Sequence, residues 1–221
     1  MNGMQDLTPW KALSTATVSD ALDRLGLAGQ AFGLAPLDRS FRAVGRAFTV
    51  RYAPASTKKG TVGDYIDDVP PGAVVVLDNG GRLDATVWGD ILTTMASRRG
   101  IAATVIHGVC RDVARSLELG YPLFTRGAYM RTGKDRVQAE AFNLPVSLGE
   151  VRVEAGDLLV CDADGVVVVP QAREADVLAL AQSIERAENA IRAAVERGER
   201  LDAARRGAGY FTLQRPDDSE G

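Results

Sequence analysis

Two short apolar runs constrain this chain more than any other feature: residues 73–78 (AVVVLD) and 103–107 (ATVIH). Neither alternates polar with apolar positions, so each reads as a strand covered on both faces, as in a parallel sheet flanked by helices. Each run is followed by a helical stretch. Residues 91–99 read as a helix closed by Gly100, and residues 113–119 as a helix stopped by Gly120. The order is β-α-β-α, which calls for a layered α/β domain.

The flanking segments fit that frame. Thr17-Val18-Ser19-Asp20-Ala21-Leu22 opens a helix, with Ser19 or Thr17 as cap and Gly26 as stop. Residues 47–52 alternate and read as a strand, and Asn79-Gly80-Gly81 reads as a loop at the end of the 73–78 strand. Further on, residues 146–153 are strand-like, and 158–161 pair with 166–169 across Ala163-Asp164-Gly165. A long helix then runs from about 174 to 197 or beyond. One domain over residues 1–206 is expected, with 207–221 a loose tail.

Composition narrows the partners. With 221 residues and 46% hydrophobic content, the chain can bury a sizeable core. The net charge of −3 without a long basic block argues against nucleic acid as a ligand. The longest apolar run, 166–170, is too short to cross a membrane, and residues 1–13 lack the apolar core of a secretory signal. Cys110 and Cys161 form no CxxC pair and suit a reducing compartment, so a cytoplasmic protein is expected.

Chemistry concentrates at two strand-to-helix turns, Trp88-Gly89-Asp90 and Gly108-Val109-Cys110-Arg111-Asp112. Ligands of open α/β sheets collect where strands end and helices begin, because unpaired N–H groups and the helix dipole favour anions there. Ile91 and Leu92 would offer such N–H groups to a carboxylate. Arg111 adds a planar, permanently charged fork suited to a second carboxylate or an enolate oxygen. Asp90 and Asp112 supply hard oxygen ligands for Mg²⁺ or Mn²⁺. Plainer readings stand beside these. Each aspartate precedes a helix, where Asp is a favoured cap, and Arg111 could simply pair with one of them. The residues themselves point to an anion site with carboxylates suited to a metal, without naming a reaction.

Twenty residues separate Asp90 from Arg111-Asp112, giving D-x20-R-D. Together with Thr17-Val18-Ser19-Asp20-Ala21-Leu22, Val44-Gly45-Arg46-Ala47-Phe48-Thr49-Val50, Trp88-Gly89-Asp90-Ile91-Leu92 and Asp162-Ala163-Asp164-Gly165-Val166-Val167-Val168-Val169-Pro170, this resembles the RraA-like family over roughly residues 13–195. That family includes 4-hydroxy-4-methyl-2-oxoglutarate/4-carboxy-4-hydroxy-2-oxoadipate aldolases. The resemblance implies a layered α/β/β/α, swivelling-domain-like fold and a divalent-metal-dependent lyase. Its substrate would be a 2-oxo diacid, split by retro-aldol cleavage or, for oxaloacetate, by decarboxylation. Gly89, Asp90, Ile91 and Leu92 match the substrate-carboxylate turn, Arg111 the arginine that holds the pyruvate unit, and Asp112 the direct metal ligand. Asp90 matches a position that holds a metal-bound water. The resemblance also implies trimers or paired trimers, with a glutamate from the neighbouring chain completing the site through water.

That glutamate is sought on the long helix. Its apolar stripe runs through Val177, Ala181, Ile184, Ile191 and Val195, and Glu188 fills the gap on the same stripe. A carboxylate there needs a partner. Glu185 is less centred, and a solvated carboxylate at the helix edge is the alternative for Glu188.

Other motifs take bland readings. His107, the only histidine, sits on a strand end without a G-x-S-x-G elbow to support a triad, so a structural role is expected. Asp162-Ala163-Asp164-Gly165 lacks the downstream glutamate of a calcium loop. Lys58-Lys59-Gly60 lacks the glycine frame of a phosphate loop. Cys110 adjoins Arg111, which does not by itself make a thiol reactive. Two non-lyase activities are weighed: a regulator that binds and inhibits a ribonuclease, and a quinone-precursor methyltransferase. The second is set aside because no G-x-G-x-x-G turn is present.

Overall fold

The computed structural model describes residues 6–58 and 60–209. Its elements in chain order are α1 (Thr8–Lys11), α2 (Thr15–Arg24), β1 (Ala35–Pro36), β2 (Ala43–Pro54), β3 (Val74–Thr86), α3 (Asp90–Arg98), β4 (Ala103–Val109) and α4 (Val113–Leu119). There follow β5 (Leu123–Thr125), β6 (Val137–Phe142), β7 (Val146–Leu148), β8 (Val151–Val153), β9 (Leu158–Asp162), β10 (Gly165–Val169), α5 (Glu174–Glu196) and α6 (Leu201–Gly207).

The main sheet has the order β1-β5-β4-β3-β2-β9-β10, with β6 also paired to β2. Strands β2 to β5 run parallel, and the β9–β10 hairpin joins β2 antiparallel. Residues 29–36 bring the two ends of the sheet together. The Val168 N–H donates to the Gly29 carbonyl (2.8 Å) and the Ala31 N–H to that of Val166 (3.0 Å). Shortly afterwards β1 pairs with β5. The sheet is thus nearly closed, like a barrel.

Period-2 alternation sorts the valines. Val74 and Val76 of β3, Leu159 and Cys161 of β9, and Val166 and Val168 of β10 share the interior cluster. Their neighbours Val75 and Leu77 pack outward with Trp88, Ala96 and Ile106 beneath α3 and α4. On the other side Leu158, Val160, Val167 and Val169 pack with Leu22, Val177, Ala181 and Ile184 of α2 and α5. Helices, two sheet walls and helices again form the expected α/β/β/α layers. Each fully buried Val or Leu contributes about 1.5–3 kcal/mol, so double-sided burial is what holds these strands in the sheet.

Several boundaries differ from the sequence expectation. The cap of α2 is Ser14, whose extended backbone lets Oγ accept the Thr17 N–H (3.0 Å); Thr17 and Ser19 lie inside the helix. The strand expected over 47–52 extends to Ala43–Pro54, because it pairs β9 at one end and β3 and β6 at the other. Asn79-Gly80-Gly81 is not a terminal loop. It lies inside β3, where pairing with β4 jumps from Asp78↔His107 to Arg82↔Gly108. Segment 146–153 is a β7–β8 hairpin with Gly149 at φ 65°, not one strand. Its Val146, Leu148, Val151 and Val153 fill the interior. The β9–β10 hairpin is as expected, with Cys161 opposite Val166. On α5 the buried residues end at Ala194 and not Val195, which is 43% exposed, because Ile191 and Ala194 pack against Ala204 of α6 and not against the sheet. The proposed tail begins at Gly207, the last residue of α6, and residues 210–221 lie outside the described residues.

The Asp162-Ala163-Asp164-Gly165 turn has a structural use. Asp162 accepts the Thr15 N–H (2.8 Å), the Thr15 hydroxyl (2.6 Å) and the Asp164 N–H (3.0 Å), tying the start of α2 to the hairpin. Burial pushes the Asp162 carboxyl up, but these bonds and the Arg42 charge outweigh it and hold the carboxyl below the ordinary carboxylate range. A lowered folded-state pKa gives stability that is fully present above the unfolded value and is lost as pH falls through the folded one. Asp162→Ala should therefore cost about 2–3 kcal/mol at pH 7, and less below about pH 4. Urea unfolding at both pH values checks this, and an equal loss at both would refute the ionised role.

Candidate functional site

The parallel strands β3 and β4 pair regularly from Val74↔Ala103 to Asp78↔His107 and irregularly beyond. The extra length of β3 lets both chains reach their helices side by side. Val87 and Trp88 lead to Gly89, the cap position of α3; Cys110 and Arg111 lead to Asp112, the cap position of α4. The Arg111 N–H donates to the Trp88 carbonyl (3.0 Å), fixing one turn against the other.

Neither aspartate caps a helix with its side chain. Asp90 is the first residue of α3, after Gly89, and its Oδ1 accepts the neighbouring Ile91 N–H (2.8 Å). Asp112 stands at the cap of α4 with no capping bond and with a left-handed backbone (φ 56°, ψ 41°). That conformation costs a non-glycine residue on the order of 1 kcal/mol and is found where the surroundings impose it. Here it turns the carboxylate toward the other turn. Asp112 Oδ2 accepts the Asp90 N–H (3.2 Å) and lies 3.3 Å from Arg111 Nε. Gly89 makes that approach possible: a Cβ there would fall 2.7 Å from Asp112 Oδ2 and 3.3 Å from Arg111 Nε.

Arg111 and Asp112 keep 40% and 39% of their side chains exposed, enough to meet a ligand. Gly89, Asp90, Ile91, Leu92 and Arg111 line an open cleft of about 1040 Å³. The five residues expected to touch substrate therefore do converge. Of the two amides expected to face a carboxylate, that of Ile91 is engaged by Asp90, so an anion would have to displace Asp90 Oδ1 there. The Leu92 N–H has no partner among the described residues. The opposite walls come from segments 60–64 and 132–135, including Lys134 and Asp135, which no motif singled out. A close fit of Gly133 against the Thr86 carbonyl brings the second segment in.

Glu188 does not join this cluster within one chain. It is half-buried on α5 and accepts a bond from Arg192 (3.3 Å). Helix α5 packs on the outer face of β9 and β10, in the layer away from α3 and α4. Glu185 bonds the Thr17 hydroxyl (2.9 Å) and Arg192 (2.9 Å) and belongs to that layer too. Among the described residues, no group of three or more His, Cys, Asp or Glu side chains is gathered closely enough to hold a metal ion. The Asp90 and Asp112 pair still suits a cation such as Mg²⁺, which takes one or two carboxylates and keeps other positions for water and substrate.

The remaining candidates fall away from the cleft. His107 Nδ1 lies 3.6 Å from Asp78 Oδ1 and 3.5 Å from the Gly149 N–H, in contact with the β7–β8 turn. Asn79 is buried, and its amide donates to the Ala85 carbonyl (3.1 Å). Burial pushes the Cys110 thiol up to about 11, which keeps it inert. Lys58 is exposed on a turn, and Lys59 lies outside the described residues. No described helix is long and apolar enough to cross a membrane.

Comparison with known proteins agrees with this fold. A family model described as "RraA-like: Aldolase/RraA" matches residues 15–168. The protein DlpA of Legionella pneumophila is 39% identical over 196 residues, which cover 87% of this chain but 32% of DlpA, so the chain spans about a third of that relative. A Halalkalibacterium halodurans protein named "Putative 4-hydroxy-4-methyl-2-oxoglutarate aldolase" is 36% identical over 172 residues, covering 78% of this chain and 80% of that one. Among solved structures, Streptomyces coelicolor RraAS2, described as an unusual member of the RNase ES inhibitor RraA protein family, superposes with a TM-score of 0.77. It is 29% identical, over 83% of this chain and 94% of that one.

Proposed function

This chain belongs to the RraA-like family, and we propose that it is a divalent-metal-dependent carbon–carbon lyase that releases pyruvate from a 2-oxo diacid. One observation carries the reading. Asp112 is held in a costly backbone conformation that turns its carboxylate away from capping α4 and toward Asp90 and Arg111 at a cleft. A pair of ordinary caps would not need that. The aldolase name of the Halalkalibacterium relative supports the reaction class.

In the proposed reaction the substrate carboxylate sits at the start of α3, on the Leu92 N–H and in the field of the helix dipole. Asp112 and Asp90 would hold the cation, Mg²⁺ or Mn²⁺, which when bound polarises the ketone oxygen as a Lewis acid. As the C3–C4 bond breaks, its electron pair stays on C3 and charge moves to the ketone oxygen, forming pyruvate enolate. The Arg111 fork stabilises that oxygen. The fragment that leaves is a second 2-oxo acid in a retro-aldol cleavage, or carbon dioxide from oxaloacetate. Either way the same enolate is made, so one site serves both. In the retro-aldol case a water held by Asp90 takes the C4 hydroxyl proton as C4 becomes a carbonyl, and in both cases such a water delivers a proton to C3.

We further propose that Glu188 of the partner subunit completes the site, in a trimer or paired trimers. Since α5 lies in the layer away from α3 and α4, Glu188 can approach Asp112 only from another copy, where it would exchange its Arg192 bond for the site. A second reading, binding and inhibition of a ribonuclease, draws on the description of the Streptomyces relative. It requires none of the chemistry above.

Pyruvate release from oxaloacetate and from a branched 4-hydroxy-2-oxo diacid should be abolished by chelator and by Asp112→Ala, with the fold retained. Undiminished release in either case refutes the metal mechanism; no release by the wild type, with ribonuclease inhibition instead, favours the regulator. Arg111→Ala should lower kcat about 10²–10³-fold, and Arg111→Lys should recover part of it. A rise in KM alone would make Arg111 a plain binding residue. For the shared site, Arg111→Ala and Glu188→Ala chains refolded together should regain activity that neither has alone. Mixtures no better than their components, or a monomer in solution, would return Glu188 to the helix edge.

A further inference from the structure

The Asp112 carboxylate meets the other turn through the Gly89–Asp90 peptide unit. Its N–H is the donor to Asp112 Oδ2 (3.2 Å). Its carbonyl accepts two bonds, one from the Thr93 N–H (3.0 Å) and one from the Thr93 hydroxyl (2.9 Å). A peptide unit is planar and trans, so fixing the direction of the C=O fixes the opposite direction of the N–H. Thr93 therefore controls where the Asp90 N–H points and, through it, where the Asp112 carboxylate rests.

A hydroxyl bonding back to the carbonyl four residues earlier is common in helices and by itself means little. This one has a second bond. Thr93 is 1% exposed, and its oxygen also accepts the Trp88 indole N–H (2.9 Å). The indole is itself immobilised: Trp88 is 2% exposed and stacks on Tyr121 with ring centroids 6.2 Å apart and planes 8° from parallel. A donor fixed on one side leaves the hydroxyl hydrogen a single direction, toward the Gly89 carbonyl. The same Trp88 gives its own carbonyl to the Arg111 N–H (3.0 Å), so both turns are referred to one buried ring.

We infer that Thr93 is a positioning residue: its buried hydroxyl, set by Trp88, orients the Gly89–Asp90 peptide and so holds the Asp112 carboxylate in place. Thr93 touches neither the cation nor the substrate in this scheme. The kinetic consequence rests on the lyase reading, whereas the orientation itself does not.

The test compares Thr93→Val, which keeps shape and branching but removes both hydroxyl bonds, with Thr93→Ser, which restores them. Thr49→Val is the control, because Thr49 is equally buried and its hydroxyl bonds the Leu144 carbonyl (2.6 Å) away from the cleft. With pyruvate release as readout, Thr93→Val should lose roughly 10–100-fold in kcat with little change in KM, as expected for a slightly misplaced group. Thr93→Ser should return to near the wild-type rate. Thr49→Val should lower the melting temperature yet keep kcat. Full kcat in Thr93→Val, or the same kcat loss in Thr49→Val, overturns the inference. Should the wild type release no pyruvate, the lyase reading fails separately. The orientation is then judged by hydrogen exchange of the Asp90 amide in the ligand-free protein. Faster Asp90 exchange in Thr93→Val but not in Thr93→Ser, with core amides unchanged, supports the inference, and unchanged Asp90 exchange refutes it.

Discussion

The parallel pairing of β3 with β4 is the constraint on which the rest of the structure depends. Five consecutive pairs, from Val74↔Ala103 to Asp78↔His107, run between layers that bury both faces. Because parallel strands need a crossover, the chain must leave the sheet after β3 and return along β4, and α3 is that crossover. Both strands then end at the same edge, and the helices that follow begin next to each other. A place where two sets of helical N–H groups face one cleft is a consequence of that topology.

What distinguishes this edge from any other α/β crevice is how close its turns come. Gly89 has no side chain to keep Asp112 at a distance, and Asp112 accepts a left-handed backbone to use the space. The carboxylate is held against a guanidinium and a peptide N–H while both charged groups stay partly open to solvent. Local backbone strain retained at a charged, accessible position is more readily explained by binding than by stability. The burial of Trp88 on Tyr121 supplies the rigid support that such a position needs.

The two outer helix layers do different work. The α3 and α4 layer carries the Asp90–Arg111–Asp112 group, whereas the α2 and α5 layer is bound to the β9–β10 hairpin through Asp162 and its bonds to Thr15. Glu188 belongs to the second layer, which is why a single chain does not bring it to Asp90 and Asp112. In the proposed lyase, therefore, assembly of several copies would be part of the chemistry.

Much of this was written in the sequence. Unbroken apolar runs read as strands covered on both faces and the glycines after 99 and 119 as helix ends, so the β-α-β-α order of a layered α/β domain was legible, and the family resemblance implied the α/β/β/α layers. So was the gathering of Gly89, Asp90, Ile91, Leu92, Arg111 and Asp112, because each sits within a few residues of a strand end. The failures share one cause. Which serine caps α2, whether 79–81 is a loop or lies within a strand, and whether 146–153 is one strand or two depend on partners distant along the chain. The same holds for the cleft walls at 60–64 and 132–135 and for the Trp88–Thr93–Gly89 linkage, which no periodicity marks. Sequence fixes what is local, because hydrophobic period and backbone preference act over a few residues. Close approaches such as the Gly89 to Asp112 contact were decided by tertiary packing, since a gap of a few ångströms between segments exists only once both are buried against the same core.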